Sequence, residues 1–309
     1  MPLTPELENL CKALDTEKVV ALLAPSFPVD FKFPDIILQL RQLWIDKVVE
    51  LTYAAKIINA EYEKILKDFS PAKLGNPTQQ YICANCPTIV TMVQVKYPEL
   101  KDKLINVASP MVVMDRFVKK EYCKETWWGE CKTLFIGPCI AKKMEAKLYG
   151  IDYAITFQEL QAIFDYNKEN NIPHKQHFEI DVTEAGDRDF DKVYNDYTKI
   201  YPLGGGVAET MHLKGIATKD QLLAVDGPAN VDEWFKKFKE NPNIRFLDIL
   251  MCNGGCIGGP GIVSKDSIEV RKQRVLDYKE YCKKDKIWAK LWKFEYSEGL
   301  DISRENTKK

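Results

Sequence analysis

The sequence has no surplus of charge of either sign: 44 Lys and Arg stand against 45 Asp and Glu, a formal net charge of −1. A domain that grips duplex nucleic acid usually carries a marked basic excess, so nucleic acid is not an expected partner. No apolar run approaches the ~20 residues needed to span a bilayer. The opening residues, MPLTPELENL, lack the basic start and apolar stretch of a secretory signal. No membrane association is expected, and the cytoplasm is the expected location. Internal repeats, low-complexity tracts and long Pro/Gly/Ser linkers are also missing, so residues 1–309 are read as one domain, large enough for two intimately packed lobes. An even cysteine count is absent too. Nine cysteines cannot all pair internally. In a reducing compartment, cysteines at tight spacings beside glycines are more often metal ligands than bridges.

What is present is an ordinary globular composition, 45% hydrophobic and 29% charged, with strand-like and helix-like runs in alternation. Lys18–Val29 reads as a buried strand running into a Pro-containing turn. From Phe33 to Phe69 the apolar spacing is helical, broken near Asp46, and Thr88–Tyr97, Pro110–Lys120 and Thr156–Asn167 carry the same period. Short apolar runs at Lys132–Gly137, Ile151–Thr156, Leu222–Val225 and Ile244–Leu250 read as strands. Lys279–Phe294 reads as a Lys-rich amphipathic helix with Trp288 and Trp292 on one face. This alternation predicts an α/β fold of two packed lobes, with mixed or parallel sheets flanked by helices.

Three segments carry chemistry. In Cys83-Ala84-Asn85-Cys86-Pro87-Thr88 a cysteine precedes a helix whose first position suits Pro87. A thiolate there is stabilised by free backbone N–H groups. Taken alone, the segment reads more readily as a buried structural cysteine or half of a zinc-binding CxxC. In Gly137-Pro138-Cys139-Ile140-Ala141-Lys142-Lys143-Met144-Glu145 a cysteine lies one helical turn from a lysine that can donate hydrogen bonds to an anionic ligand. Alone, the two lysines are a solvated helix start. In Met251-Cys252-Asn253-Gly254-Gly255-Cys256-Ile257-Gly258-Gly259-Pro260-Gly261 the glycines let the backbone wrap a bulky cluster, which favours metal even by itself. Together the segments supply Cys86, Cys139, Cys252 and Cys256, the complement for a [4Fe–4S] cluster. Cys86, Cys139 and Cys252 follow or precede regular elements, and such ends converge on one crevice in α/β folds.

At this point the sequence resembles the [FeFe]-hydrogenase catalytic domain over nearly its whole length. ANCPTIV, GPCIAKKMEA and LDILMCNGGCIGGPG resemble the family's three cluster motifs in order. APSF at Ala24–Phe27, ASPM at Ala108–Met111 and LGGGVAE at Leu203–Glu209 resemble further stretches around its cofactor pocket. The resemblance implies an H-cluster buried between the lobes. Its cubane would be held by Cys86, Cys139, Cys252 and Cys256, and Cys256 would bridge to a diiron unit bearing CO, cyanide and an azadithiolate. It further implies that Lys142 hydrogen-bonds one cyanide, that Pro25 and Ser26 serve the other, and that Ser109 and Glu145 give polar support. The activity implied is reversible reduction of protons to H2, with ferredoxin as electron partner and maturation enzymes supplying the diiron unit.

The departures bear on rate. Active members usually place a proton-donating cysteine just before the first ligand, where this chain has Asn85, whose amide does not titrate. Cys83 lies two residues further back, and Glu61 and Glu63 are relay candidates expected on a solvated helix face. Gly137 stands where many members have methionine, and a second methionine is displaced around Leu250–Met251. These changes resemble sensory branches of the family, so an H2 sensor with slow turnover is the alternative, and an iron–sulfur assembly relative without the diiron unit a second. No CxxCxxCxxxCP run of an accessory ferredoxin-like module exists. Cys11, Cys123, Cys131 and Cys282 are expected to be structural, and the lysines Lys279, Lys283, Lys284, Lys286 and Lys290 to form a solubilising face or to attract an acidic ferredoxin.

Overall fold

The computed structural model describes residues 2–67, 79–123, 129–172, 188–191, 193, 197–213, 217–284 and 299–304. Its regular elements run α1 Pro5–Leu14, β1 Val19–Leu23, α2 Asp35–Gln42, β2 Lys47–Glu50, α3 Thr52–Lys67, β3 Tyr81–Ile82, α4 Pro87–Val95, α5 Pro110–Phe117 and β4 Lys132–Gly137. They continue with α6 Ile140–Tyr149, β5 Tyr153–Thr156, α7 Phe157–Glu169, α8 Gly206–Leu213, β6 Leu222–Asp226, α9 Pro228–Lys237, β7 Phe246–Leu250 and α10 Ile268–Lys284.

Two parallel sheets organise the chain. The first has the order β2-β1-β4-β5 and the second β3-β7-β6, with every pairing parallel. The central strand β1 is the run VVALL, buried at all five positions. A strand paired on both sides and covered on both faces needs apolar side chains throughout rather than alternation. Each sheet has its own core. Val20, Leu22, Ile36, Leu40 and Phe135 belong to the first, and Ile82, Ile89, Val93, Phe235, Leu247 and Ile249 to the second. The expected pair of α/β lobes is therefore present, with wholly parallel sheets.

Register places the strand ends together. Leu23 pairs with Glu50 and with Ile136, and Gly137 pairs with Thr156. In the second sheet Ile82 pairs with Leu247 and Asp226 with Leu250. The residues that follow (Ala24–Ser26, Leu51, Pro138–Cys139, Cys83–Cys86 and Met251–Cys252) thus leave the carboxyl ends of both sheets, where α/β crevices form.

Two expectations need correction, and a third gains a detail. The helical reading from Phe33 to Phe69 missed β2, since KVVE is a four-residue strand between α2 and α3. Its Val48 and Val49 are fully buried and pair with β1, so burial in the sheet outweighs the helical spacing around it. The helix expected over Lys279–Phe294 begins earlier, at Ile268, and is described to Lys284; Lys286, Trp288, Lys290 and Trp292 lie outside the described residues. Cys123 and Cys131 are structural, as expected, but they form a disulfide across eight positions, a pairing the odd cysteine count did not reveal.

Behind the first sheet lies an ion pair the sequence reading did not find. Lys199 and Glu50, both with no exposed side-chain surface, pair directly. Lys199 Nζ also donates to Tyr278 Oη at 3.1 Å, and Thr52 Oγ1 donates to the same Glu50 oxygen at 2.9 Å. Glu50 ends β2 and Leu51 follows it, so this network sits one residue behind the cavity described next.

Candidate functional site

Three residues of the site are helix N-caps. Cys86 caps α4, Ser109 caps α5 and Cys139 caps α6, each with extended backbone, and each of the first two helices opens on a proline. Proline costs no hydrogen bond in the first turn. The thiols therefore sit where unpaired N–H groups and the positive helix end favour a thiolate. Indeed the backbone N–H groups of Ala141 and Lys142 donate to the Cys139 sulfur.

The third segment is shaped by glycine. Gly255 has φ +85°, and a Cβ there would stand 2.6 Å from the Gly204 nitrogen and the Pro202 oxygen. The loop is thereby pressed against the LGGG stretch, with Cys256 N donating to Pro202 O at 2.7 Å. Asp226 Oδ1 accepts the Gly254 N–H at 2.9 Å and ties the same loop to β6.

The four thiols converge, since each of Cys139, Cys252 and Cys256 feels the charge of Cys86. Among the described residues no three His, Cys, Asp or Glu side chains gather tightly enough for a single metal ion. Burial raises Cys139, raises Cys252 to about 11 and raises Cys256 well above the ordinary thiol range. Thiolates at these places call for a positive body between them, which an iron–sulfur cluster provides.

Beside Cys139 and Cys256 is a cavity of about 80 Å3. It is lined from the first lobe by Ala24, Pro25, Ser26, Phe135 and Lys142, and from the other side by Asn85, Val207 and Leu250. Lys142 Nζ donates to Glu145 Oε2 at 2.5 Å and to the Asn85 carbonyl at 3.2 Å. Glu145 Oε2 also accepts the Ser109 hydroxyl at 3.0 Å. Two buried polar atoms at this cavity have no partner, Ser26 Oγ and Asn85 Nδ2. Orphaned buried donors are costly, about 1–3 kcal/mol each, unless a ligand accepts from them. A cavity lined by one ammonium and two idle donors, adjoining four thiols, fits a cofactor with anionic or lone-pair-bearing ligands.

The structure thus brings together Cys86, Cys139, Cys252, Cys256, Pro25, Ser26, Asn85, Ser109, Lys142 and Glu145. It does not bring in Glu61, which pairs with Lys64 at 3.6 Å and does not line the cavity; Glu63 does not line it either. Cys83 is fully buried against Tyr62. Gly137 leaves room for a neighbour: a Cβ there would stand 2.4 Å from the Phe135 ring, which fills that side of the cavity. Leu250 lines the cavity, Met251 packs into the second core, and Met111 of α5 is the methionine that reaches the cavity among the described residues.

Asp248 was missed by sequence reasoning, although it stands inside an apolar strand four residues before Cys252. Its Oδ2 accepts the Val207 and Ala208 N–H groups at 2.9 Å each, holding the start of α8 against the cavity, while Oδ1 is unpaired. Desolvation raises its pKa from 3.8 to about 6. Because the folded value lies above the unfolded one, its contribution to stability is complete below pH 3.8 and is lost as pH rises through about 6. That gap is worth about 3 kcal/mol. In denaturant titrations, Asp248→Asn should gain about that much on the parent between pH 4 and 7; a constant difference across this window would show that Asp248 titrates normally.

Comparison with known proteins agrees with this architecture. Residues 17–260 match the family described as iron only hydrogenase large subunit, C-terminal domain. Similar proteins include the cytosolic Fe-S cluster assembly factor NAR1 of Encephalitozoon cuniculi, 23% identical over 84% of this chain and 69% of its own length. Iron hydrogenase 1 of Clostridium pasteurianum is also 23% identical, over 76% of this chain and 47% of its own. The chain thus spans about half the length of that hydrogenase. A variant of [FeFe]-hydrogenase HydA1 from Chlamydomonas reinhardtii superposes with a TM-score of 0.66 over 88% of each chain at 17% identity. HydA(deltaEFG), from a structure revealing stepwise [FeFe]-hydrogenase H-cluster assembly, gives 0.61 over 98% of this chain and 92% of that one, at 16% identity. No helix among the described residues is long and apolar enough to cross a membrane. With the match running through all three cysteine segments, the chain belongs to the family of the iron only hydrogenase large subunit, C-terminal domain.

Proposed function

We propose that this chain reduces protons to H2 reversibly at an H-cluster, with electrons exchanged with an external ferredoxin. The observation that carries the reading is the cavity beside Cys256, where the Lys142 ammonium, Ser26 Oγ and Asn85 Nδ2 are held without enough acceptors among protein atoms. A bare cubane would leave those donors idle. Cys86, Cys139, Cys252 and Cys256 would hold the [4Fe–4S] cluster, and Cys256 would join it to the diiron unit. When bound, that unit supplies an open iron position and a basic bridging amine for heterolytic H2 chemistry. Lys142, held by Glu145, and through it by Ser109, would place its charge on one anionic ligand, and Ser26, through its hydroxyl and its backbone N–H at the Pro25–Ser26 turn, would donate to another. These fixed donors orient the ligands without reorganisation, and the apolar lining excludes water. Maturation enzymes would supply the diiron unit, and Lys279 and Lys283 on α10 add positive charge for an acidic ferredoxin.

A second reading, an iron–sulfur assembly role, is favoured by the equal identity to the assembly factor and to the hydrogenase. Hydrogen evolution from a reduced viologen, by protein matured anaerobically with a synthetic diiron cofactor, separates the two. Turnover above that of the cubane-only protein supports the hydrogenase, and equal background in both supports assembly. Slow turnover is expected, because Asn85 cannot give up a proton. Asn85→Cys places a titratable donor at the same point and should raise turnover about tenfold or more; an unchanged or lower rate would mean that protons arrive by another route.

A further inference from the structure

Resting on that reading, we infer that Tyr62 is a positioning residue that locks the Asn85 side chain so that its amide N–H, and not its carbonyl, faces the cofactor. Tyr62 lies on α3 between the two glutamates considered as relays, is fully buried, and turns its hydroxyl to the segment just before Cys86. Its Oη is 3.2 Å from Asn85 Oδ1 and 3.6 Å from Cys83 Sγ. The phenol has one proton to give. An amide oxygen accepts far better than a thiol sulfur, so that proton goes to Asn85. The other contacts agree: the Ala84 backbone N–H donates to the phenolic oxygen, and burial keeps both Tyr62 and Cys83 protonated. The thiol can then only donate toward Tyr62, and the chain runs one way, Cys83 S–H to Tyr62 O–H to Asn85 Oδ1.

With Oδ1 committed, Nδ2 is the atom left over. It is buried, has no protein partner and belongs to a residue lining the cavity beside Lys142. An amide whose orientation is dictated by its network acts as a donor of fixed direction. Asn85 therefore offers the cofactor a permanent hydrogen bond where a cysteine would offer a transferable proton. Tyr62 never touches the cofactor, and its influence passes through Asn85.

Two measurements test this. In cofactor-free protein labelled at asparagine side chains, Tyr62→Phe should shift or broaden the Asn85 side-chain amide resonance, assigned by its loss in Asn85→Ala. An Asn85 signal unmoved by Tyr62→Phe overturns the lock. In matured protein, infrared bands of the diiron ligands should shift in the same direction in Tyr62→Phe and in Asn85→Ala, and the double variant should match Asn85→Ala alone. Tyr62→Phe bands at parental positions, or additive shifts in the double variant, overturn the action through Asn85. Bands missing from the parent itself would overturn the hydrogenase reading and the cofactor-facing donor, while the amide resonance still decides the lock.

Discussion

Cys256→Ser should leave the protein folded but unable to retain a diiron unit, with hydrogen evolution falling to background, whereas Cys282→Ser should keep both. The two cysteines differ in surroundings, Cys282 being buried and Cys256 half-buried. Cys256 follows Gly255, backs onto Pro202 and lines the cavity with Lys142 and Asn85. Its thiol is raised by burial and by the three other thiols, so it is the member of the set that most needs a metal to become anionic. Cys282 lies near the end of α10, hydrogen-bonded with Tyr278 in the first core. A serine hydroxyl can keep that bond, but it cannot replace a bridging thiolate. Iron content and infrared bands measured on both variants decide the matter: equal losses would overturn the ligand assignment.

Lys199→Met should be the most damaging single change to stability outside the cysteine site. The lysine and Glu50 have no exposed side-chain surface, and removing the cation leaves a buried carboxylate with the neutral hydroxyls of Thr52 and Tyr278 beside it. Breaking such a pair costs about 3–5 kcal/mol. In a chain of this size that lowers the melting temperature by about 5–8 °C. Adding Glu50→Leu should recover most of the loss, since the pair as a whole is worth little against apolar packing of similar volume. A double variant no more stable than Lys199→Met would place the lysine's contribution elsewhere, in its contact with the Tyr278 ring 4.6 Å away.

What could be read from the sequence was what is local. Each cysteine segment contains its own evidence, a proline at a helix start, a lysine one turn on, or glycines beside the thiol, and all four cysteines come together in the fold. The strands of β4, β6 and β7 were legible because buried parallel strands are short unbroken apolar runs. β2 was not, because four residues between two helices carry too little pattern to separate a strand from a helix break. Lys199 and Glu50 are separated by 149 positions, so nothing local pairs them. Tyr62 was hidden for a different reason: its spacing is that of a core residue, which it is, and only the structure shows the hydroxyl turned toward Asn85. The flanking Glu61 and Glu63, whose carboxyl groups are the titratable side chains on either side of Tyr62, do not line the cavity.

The lobes and the cavity belong together physically. Parallel strands end in register at Leu23, Glu50 and Ile136 in one sheet and at Asp226 and Leu250 in the other, which brings thiols and donors from distant segments together. Groups built on strand ends and helix caps are held more closely than groups on free loops, which suits a site whose work is to fix ligands rather than to move them.

On the proposed function, the cavity beside Cys256 receives a diiron unit with CO and cyanide ligands. Infrared spectroscopy of the anaerobically matured protein, after removal of unbound cofactor, tests it most directly. Sharp CO and cyanide bands that are absent from Cys256→Ser are the predicted result. An intact cubane with no such bands in the parent would contradict it.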